Sequence, residues 1–405
     1  MSKAYPTYKD SGIEWLGQIP THWDLLRNKI FITEHDNVVG QDAYKYTLLS
    51  LTKQGVIQRD IESGKGKFPK EFDNYKIVES GNIIFCLFDV DETPRTVGLS
   101  SIDGMITGAY NVFSIKGINS QFYYYYFLAV DEAKALRPLY SGLRKVVKTE
   151  RFAGLRIPVP PEEEQRQIVA YLDYKSNKIN ERICQREREL QTLSELKQAE
   201  IAAVVTRGLD PNVPMKESGI EWIGQITVHS ELIYLSPIAD EHNLSNKNVH
   251  HQNLLSLSYG RIVRKDINTT EGLLPASFDT YQVIEKGNII LRLTDLQNDH
   301  KSLRIGLVTE EGIITSAYIC IQSRRAVLPE YLYLLLHSYD ICKVFYGMGG
   351  GLRQSLSYAD IKRIPIIIPA IPEQVEIIKH INAKKKNIDI FMEFLKKEIE
   401  IMKEH

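Results

Sequence analysis

Asp89, Asp91 and Glu92 are close enough in sequence to suggest a nuclease-type metal site, but no suitably spaced lysine follows them. His250-His251 is an isolated pair, and the ten histidines form no His-Glu-x-x-His zinc pattern. Asp210-Pro211-Asn212-Val213 has the first two positions of an amine-methylating loop. It lacks the second proline and the aromatic ring, so it reads as a helix stop. No Gly-x4-Gly-Lys-Ser/Thr loop is present to hold nucleotide phosphates. Gly347-Met-Gly-Gly-Gly351 follows no dinucleotide-type strand and reads as a loop that allows close backbone approach. Cys86, Cys184, Cys320 and Cys342 have neither zinc nor disulfide spacing, which fits a reducing cytoplasm. The expectation is a chain with no catalytic or metal centre of its own.

The surrounding sequence is ordinary globular protein. It has 405 residues, 43% hydrophobic and 25% charged, enough for two or three domains with real cores. No apolar run reaches membrane-spanning length, and the N-terminus lacks the core of a signal peptide. The net charge is −1, so any nucleic-acid contact would require charge segregated into patches.

The chain is written twice. Tyr8 to Ile19, with its Ser-Gly-Ile-Glu-Trp-Leu-Gly-Gln-Ile run, returns at Met215 to Ile226. Leu48-Leu-Ser-Leu51 returns at Leu254–Leu257, and Phe72 to Ile84 returns at Phe278 to Ile290. Gly98-Leu with Ile106 to Tyr110 returns as Gly306-Leu with Ile314 to Tyr318, and Gly142-Leu-Arg144 returns as Gly351-Leu-Arg353. The offsets stay between 206 and 209, which makes each unit domain-sized rather than a solenoid repeat. Such a pseudo-twofold protein suits a two-part partner.

Within a unit, Lys76-Ile-Val and Asn82 to Phe88 predict strands, while Phe122 to Val130 and Pro329 to His337 predict buried helices. The fold class expected is α+β. Each globular part ends in a proline cluster, at Pro158, Pro160 and Pro161 and again at Pro365, Pro369 and Pro372. Acidic residues then open a long helix. In the central helix Val169, Leu172, Ile179, Ile183, Leu190 and Leu193 fall on heptad seam positions, with Ser176 and Arg186 in the gaps. At the C-terminus Ile378, Ile381, Lys385, Ile388, Met392, Leu395, Ile399 and Met402 alternate steps of three and four. These seams predict helix-on-helix packing. The competing reading is an amphipathic helix lying on its own domain. Some 45 helical residues would span roughly 65–70 Å, a spacer rather than a flexible linker.

Ser11-Gly-Ile-Glu-Trp-Leu-Gly-Gln-Ile-Pro20 with Trp23, the Gly-Asn-Ile-Ile elements, and Ile157-Pro-Val-Pro-Pro161 leading into Glu164-Gln-Arg-Gln-Ile168 resemble the specificity subunits of Type I restriction-modification enzymes. The resemblance covers nearly the whole chain. It implies two target recognition domains, each reading half of a split sequence in double-stranded DNA. It also implies an antiparallel coiled coil that sets the gap and docks two methyltransferase subunits, with restriction-translocase subunits joining them. Chemistry, together with S-adenosylmethionine, ATP and magnesium, would then belong to the partners and not to this chain, and the assembly would be cytoplasmic. Pro20 and Trp23 have no counterparts in the second copy, where Thr227 and Ser230 stand, so that segment is expected to close the repeat and to pack differently.

The corresponding domains are 1–160 for the first recognition domain, 161–207 for the central helix, 208–370 for the second recognition domain and 371–405 for the C-terminal helix. DNA contacts are expected from basic and amide side chains in irregular segments. In the first domain these are Lys65, Lys67, Lys70, Arg95, Arg144, Lys145, Lys148 and Arg151. In the second they are Arg261, Arg264, Lys265, Arg292, Lys301, Arg304, Arg353 and Gln354. The shared Arg144 and Arg353 fit a common phosphate contact, while Lys67 and Arg292 differ between copies and suit base reading. The alternative function is a pseudo-symmetric protein–protein scaffold with two binding heads.

Overall fold

The computed structural model describes residues 5–59, 72–142, 145–248, 251–267, 277–299, 303–324, 326–348 and 355–404. The chain forms two compact units, Met1–Asn180 and Glu181–His405.

The first unit is built on a four-stranded antiparallel sheet in the order Ile32–His35, Asn111–Ile115, Ile83–Phe85, Val97–Leu99. The strands are short apolar runs punctuated by a repeated turn. Asn82 Oδ1 accepts the backbone N–H of Glu79 at 2.9 Å, and Gly81 has φ +93°. Gly98 lies on this sheet where a Cβ would come within 2.6 Å of Leu51 Cδ1, so only glycine allows the hairpin Leu49–Thr52/Gly55–Gln58 to close over it. Helix α1 (Ser120–Glu132) covers the opposite face, capped by Asn119 Oδ1 on the N–H of Phe122 at 3.0 Å. Phe127 of α1 meets Phe85 of the sheet and Phe152 of the short helix α2 (Thr149–Gly154), with ring centroids 5.1 and 5.3 Å away. Each such buried ring contributes about 1.5–3 kcal/mol. Arg156–Val159 then pairs with Asp24–Arg27 and delivers the chain to helix α3 (Glu162–Arg207).

The second unit repeats the design with an aliphatic core. Its four-stranded sheet runs Ala239–Glu241, Ile319–Ser323, Ile289–Leu291, Ile305–Leu307, matching the first strand for strand. Asn288 Oδ1 accepts the N–H of Glu285 at 2.8 Å, and a Cβ on Gly306 would come within 2.5 Å of Leu257 Cδ1. Helix α4 (Pro329–Ile341) covers the sheet, followed by the single turn α5 (Tyr358–Ile361), the strand Pro365–Ile368 and helix α6 (Ile371–Glu404). The C-terminal part of α3 belongs to this unit and runs antiparallel to α6. Glu200 meets Lys384 at 2.6 Å, Lys197 meets Asp389 at 2.5 Å, and Glu187 meets Lys403 at 2.8 Å, so falling numbers on α3 meet rising numbers on α6 across all three pairs.

The hairpin opening each copy keeps its register, with Tyr8 opposite Pro20 and Met215 opposite Thr227. The expected difference in packing is confined to side chains. Trp23 Nε1 donates to Glu164 Oε2 at 2.7 Å, whereas the Thr227 and Ser230 hydroxyls bond one another at 2.7 Å. His22 to Glu164 and His229 to Glu373 are the same contact, each at 2.7 Å. Among the described residues no helix is long and apolar enough to cross a membrane.

Candidate nucleic-acid interface

In the first unit three of the expected basic residues, Lys145, Lys148 and Arg151, lie on the stretch between α1 and α3. Tyr140–Ser141 pairs with Val146–Val147, and the turn joining them holds Lys145 at φ +45°. Its ammonium lies 3.4 Å from Asp91 and 3.3 Å from Glu92. Asp91 also accepts from Arg137 and from the Tyr140 hydroxyl, both at 2.9 Å. Arg137 and Tyr140 hold its carboxyl below the usual range. Asp91 and Glu92 therefore brace Lys145, and no cluster suited to a metal ion occurs among the described residues. Beyond the turn, Lys148 and Arg151 are exposed at the start of α2, where Arg151 donates to the Leu139 carbonyl at 3.1 Å. Arg95 stands apart, 3.9 Å from the buried Asp131 that also pairs with Lys134 at 2.9 Å.

In the second unit Arg261, Arg264 and Lys265 lie on one hairpin strand, Arg261–Arg264, and just after it. Lys265 is exposed, and Arg264 donates to Glu310 at 2.8–2.9 Å. Arg261 lines a cavity against α3, α4 and α6. Arg292 is half-exposed, 3.8 Å from Asp299.

Arg304 requires a correction. It is fully buried, not in the exposed loop position expected of a DNA contact. Its guanidinium donates to Tyr346 Oη at 2.9 Å and to the carbonyls of Arg292, Thr294, Asp295 and Asp299 at 2.5–3.3 Å. It is a peg that gathers the 292–299 segment. Its backbone N–H bonds Asp340 at 2.6 Å, as Thr96 bonds Asp131 at 2.9 Å in the first copy. Lys65, Lys67, Lys70, Arg144, Lys301, Arg353 and Gln354 lie outside the described residues.

The expected seam positions divide by depth. Ile183, Ile381, Leu395 and Ile399 are buried, whereas Val169, Leu172, Ile179, Leu190, Leu193, Ile378, Ile388 and Met392 are half-buried. Other apolar side chains of α6 face outward, among them Ile390 and Phe394, both 61% exposed, and Phe391.

Two histidines escaped the sequence reading. Glu34-His35 returns as Glu241-His242, a dipeptide match within the repeat that could have exposed them. In both, Nε2 is buried without a hydrogen-bond partner. His242 lines a polar cavity of about 380 Å³ with Gln282, Tyr318, Ser357 and Asp360, suited to a ligand with its own donors and acceptors.

Comparisons with known proteins agree with this architecture. The family model described as the Type I restriction modification DNA specificity domain matches residues 39–191 and 282–401. A Methanocaldococcus jannaschii chain assigned to the MjaX type I restriction enzyme as its specificity subunit is 20% identical, over 95% of this chain and 91% of that one. A chain from a structure concerned with complex assembly and conformational transition of the type I restriction-modification system superposes with TM-score 0.59 at 13% identity, covering 95% of this chain and 96% of the other. The duplicated α+β heads, the long helices and the family match over most of the sequence lead to one assignment: the chain belongs to the type I restriction-modification DNA-specificity family, whose members recognise DNA and perform no catalysis themselves.

Proposed function

We propose that each half of the chain reads one half of a bipartite target in double-stranded DNA, with the long helices setting the gap between half-sites. The observation carrying this reading is the same four-stranded sheet and covering helix built twice, with exposed cations that differ between the copies. Lys148 and Arg151 in one unit and Lys265 in the other suit phosphate contacts, which position a protein on DNA without reading sequence. The outward apolar side chains of α6 suit docking of two methyltransferase subunits. Those subunits would carry S-adenosylmethionine, and restriction-translocase subunits would bring ATP and magnesium.

Mapping methylated adenines or cytosines in genomic DNA from a host that expresses the whole system tests the reading. A motif of two short half-sites separated by a fixed unread gap is expected. A continuous motif, or methylation unchanged when this chain is deleted, would overturn it. The matched heads favour half-sites related in sequence or shape.

A further inference from the structure

Between the second recognition head and its helices, wholly inside the second unit, lies a cavity of about 130 Å³. Arg261, Lys197, Lys385 and His337 line it, together with Ser194 and Gln198. One carboxylate serves this group, Asp389, and it is already bonded to Lys197 at 2.5 Å. Among the described residues, neither the Lys385 ammonium nor the Arg261 guanidinium makes a hydrogen bond or ion pair.

Arg261 is exposed and screened by water, but the half-buried Lys385 beside Lys197 is an unfavourable arrangement unless something answers it. Lys385 occupies a heptad seam position in α6, where an apolar residue would pack better. Burial, then Lys197, push its ammonium below the usual lysine range, Asp389 opposes them, and Arg261 lowers it further. His337 is 8% exposed on α4, and its Nδ1 is buried without a partner. The first copy has Leu128 at the matching place in α1, so the histidine is particular to this head. The hairpin that presents Arg261 turns through Tyr259 at φ +46° and Gly260 at φ +75°, a two-residue turn with both residues left-handed.

We propose that this cavity binds a small phosphate-class oxyanion, held by the Lys385 ammonium and the Arg261 guanidinium with His337, Ser194 and Gln198 as neutral donors. Such an anion neutralises the excess cation charge and gives the orphaned imidazole nitrogen an acceptor. A carboxylate would fill fewer of the converging donors than three phosphate oxygens do. The phosphate could be free or could belong to a DNA backbone, and the cavity chemistry is common to both.

Inorganic phosphate is the probe, titrated calorimetrically into the full chain at constant ionic strength with chloride as the balancing anion. Saturable one-to-one binding is expected. Lys385→Met should weaken it by about tenfold or more, and Arg261→Gln by several-fold, as loss of charge-assisted hydrogen bonds implies. Lys116→Gln, on the surface of the other unit, should change nothing. Without phosphate, Lys385→Met should melt above the wild type, because it removes a half-buried charge that Asp389 only partly offsets; phosphate should raise the wild type and leave the variant in place. Binding that is absent, or that persists in both cavity variants, overturns the site. Adding a short non-cognate duplex separates the sources. Displacement of phosphate assigns the site to a DNA backbone phosphate, and independent binding assigns it to the free ion. Neither arm uses the cognate target, so failure here is distinct from failure of the bipartite reading.

Discussion

Gln165 Oε1 accepts the backbone N–H of Asn119 at 2.8 Å, while its Nε2 donates to the Pro160 carbonyl at 2.8 Å. One buried side chain thus joins the start of α1 to the first turn of α3. Gln374 makes the same pair of bonds in the second unit, to Leu328 N–H and to the Pro369 carbonyl, both at 2.9 Å. Either glutamine therefore locks a head to its own long helix, which a bipartite reader needs if helix length is to fix anything about the head. Gln165→Leu should cost about 1–3 kcal/mol, because it leaves a buried N–H and a buried carbonyl unanswered. Gln165→Glu keeps the acceptor but sets a carboxylate against the Pro160 carbonyl, and should also destabilise. Thermal melting of the full chain checks both; unchanged midpoints would show that water replaces the clamp freely.

Arg304 should behave as a structural residue. Arg304→Met removes a buried donor shared by four carbonyls and the Tyr346 hydroxyl, of which the Asp295 and Asp299 carbonyls keep a second donor, and is expected to cost about 3 kcal/mol or more. The melting temperature should fall steeply, while any protein that remains folded methylates the same motif with its partners. A folded variant with an altered motif would restore Arg304 to DNA reading.

Lys148→Gln and Lys265→Gln should weaken DNA binding by similar factors on cognate and non-cognate duplexes. Each should reduce the slope of log K against log salt by about 0.9. Fluorescence anisotropy of the assembled complex across a salt series measures this. A change confined to the cognate sequence would mean that the residue reads a base.

His337 links stability to pH. Burial first, then Lys385 and Lys197, bring its imidazole down to about 4. The unfolded chain, with an ordinary histidine near 6.5, binds the extra proton first as pH falls. Stability contributed by the neutral ring is therefore full above about pH 6.5 and is lost progressively towards pH 4, by at most about 3 kcal/mol. The other groups facing the ring are Arg261, Tyr333, Lys385 and Lys197. His337→Leu, the residue found in the first copy, should flatten the melting profile between pH 4 and 6.5 relative to wild type. Parallel profiles would show that water reaches the ring.

Much of this was legible because it is written as pattern. The duplication, the strands around Ile83 and Ile289, and the helices after Pro161 and Pro372 follow from local composition and period. Even the clamp left a trace, since Pro160 with Gln165 returns as Pro369 with Gln374. The fate of individual charges was not legible. Arg304 looks like any loop arginine until the chain folds back and offers it four carbonyls. Arg264 is spent on Glu310, and Lys145 on Asp91 and Glu92, through contacts that no spacing announces. The oxyanion cavity joins residues from Ser194 to Lys385, and only tertiary packing makes them neighbours.

Helix length supplies the last prediction. α3 is a single helix of 46 residues, so one inserted heptad preserves the phase of its apolar positions while adding about 10 Å. At 3.4 Å per base pair this corresponds to about three base pairs. If the helices set the gap, methylation mapping of a host carrying the insertion should show both half-sites unchanged and the unread gap longer by about that amount. An insertion of four residues should instead rotate the seam out of phase and reduce assembly with the methyltransferase rather than shift the gap smoothly. Altered half-site bases in the heptad variant would place base reading partly under the control of the helices, and the ruler reading would be wrong.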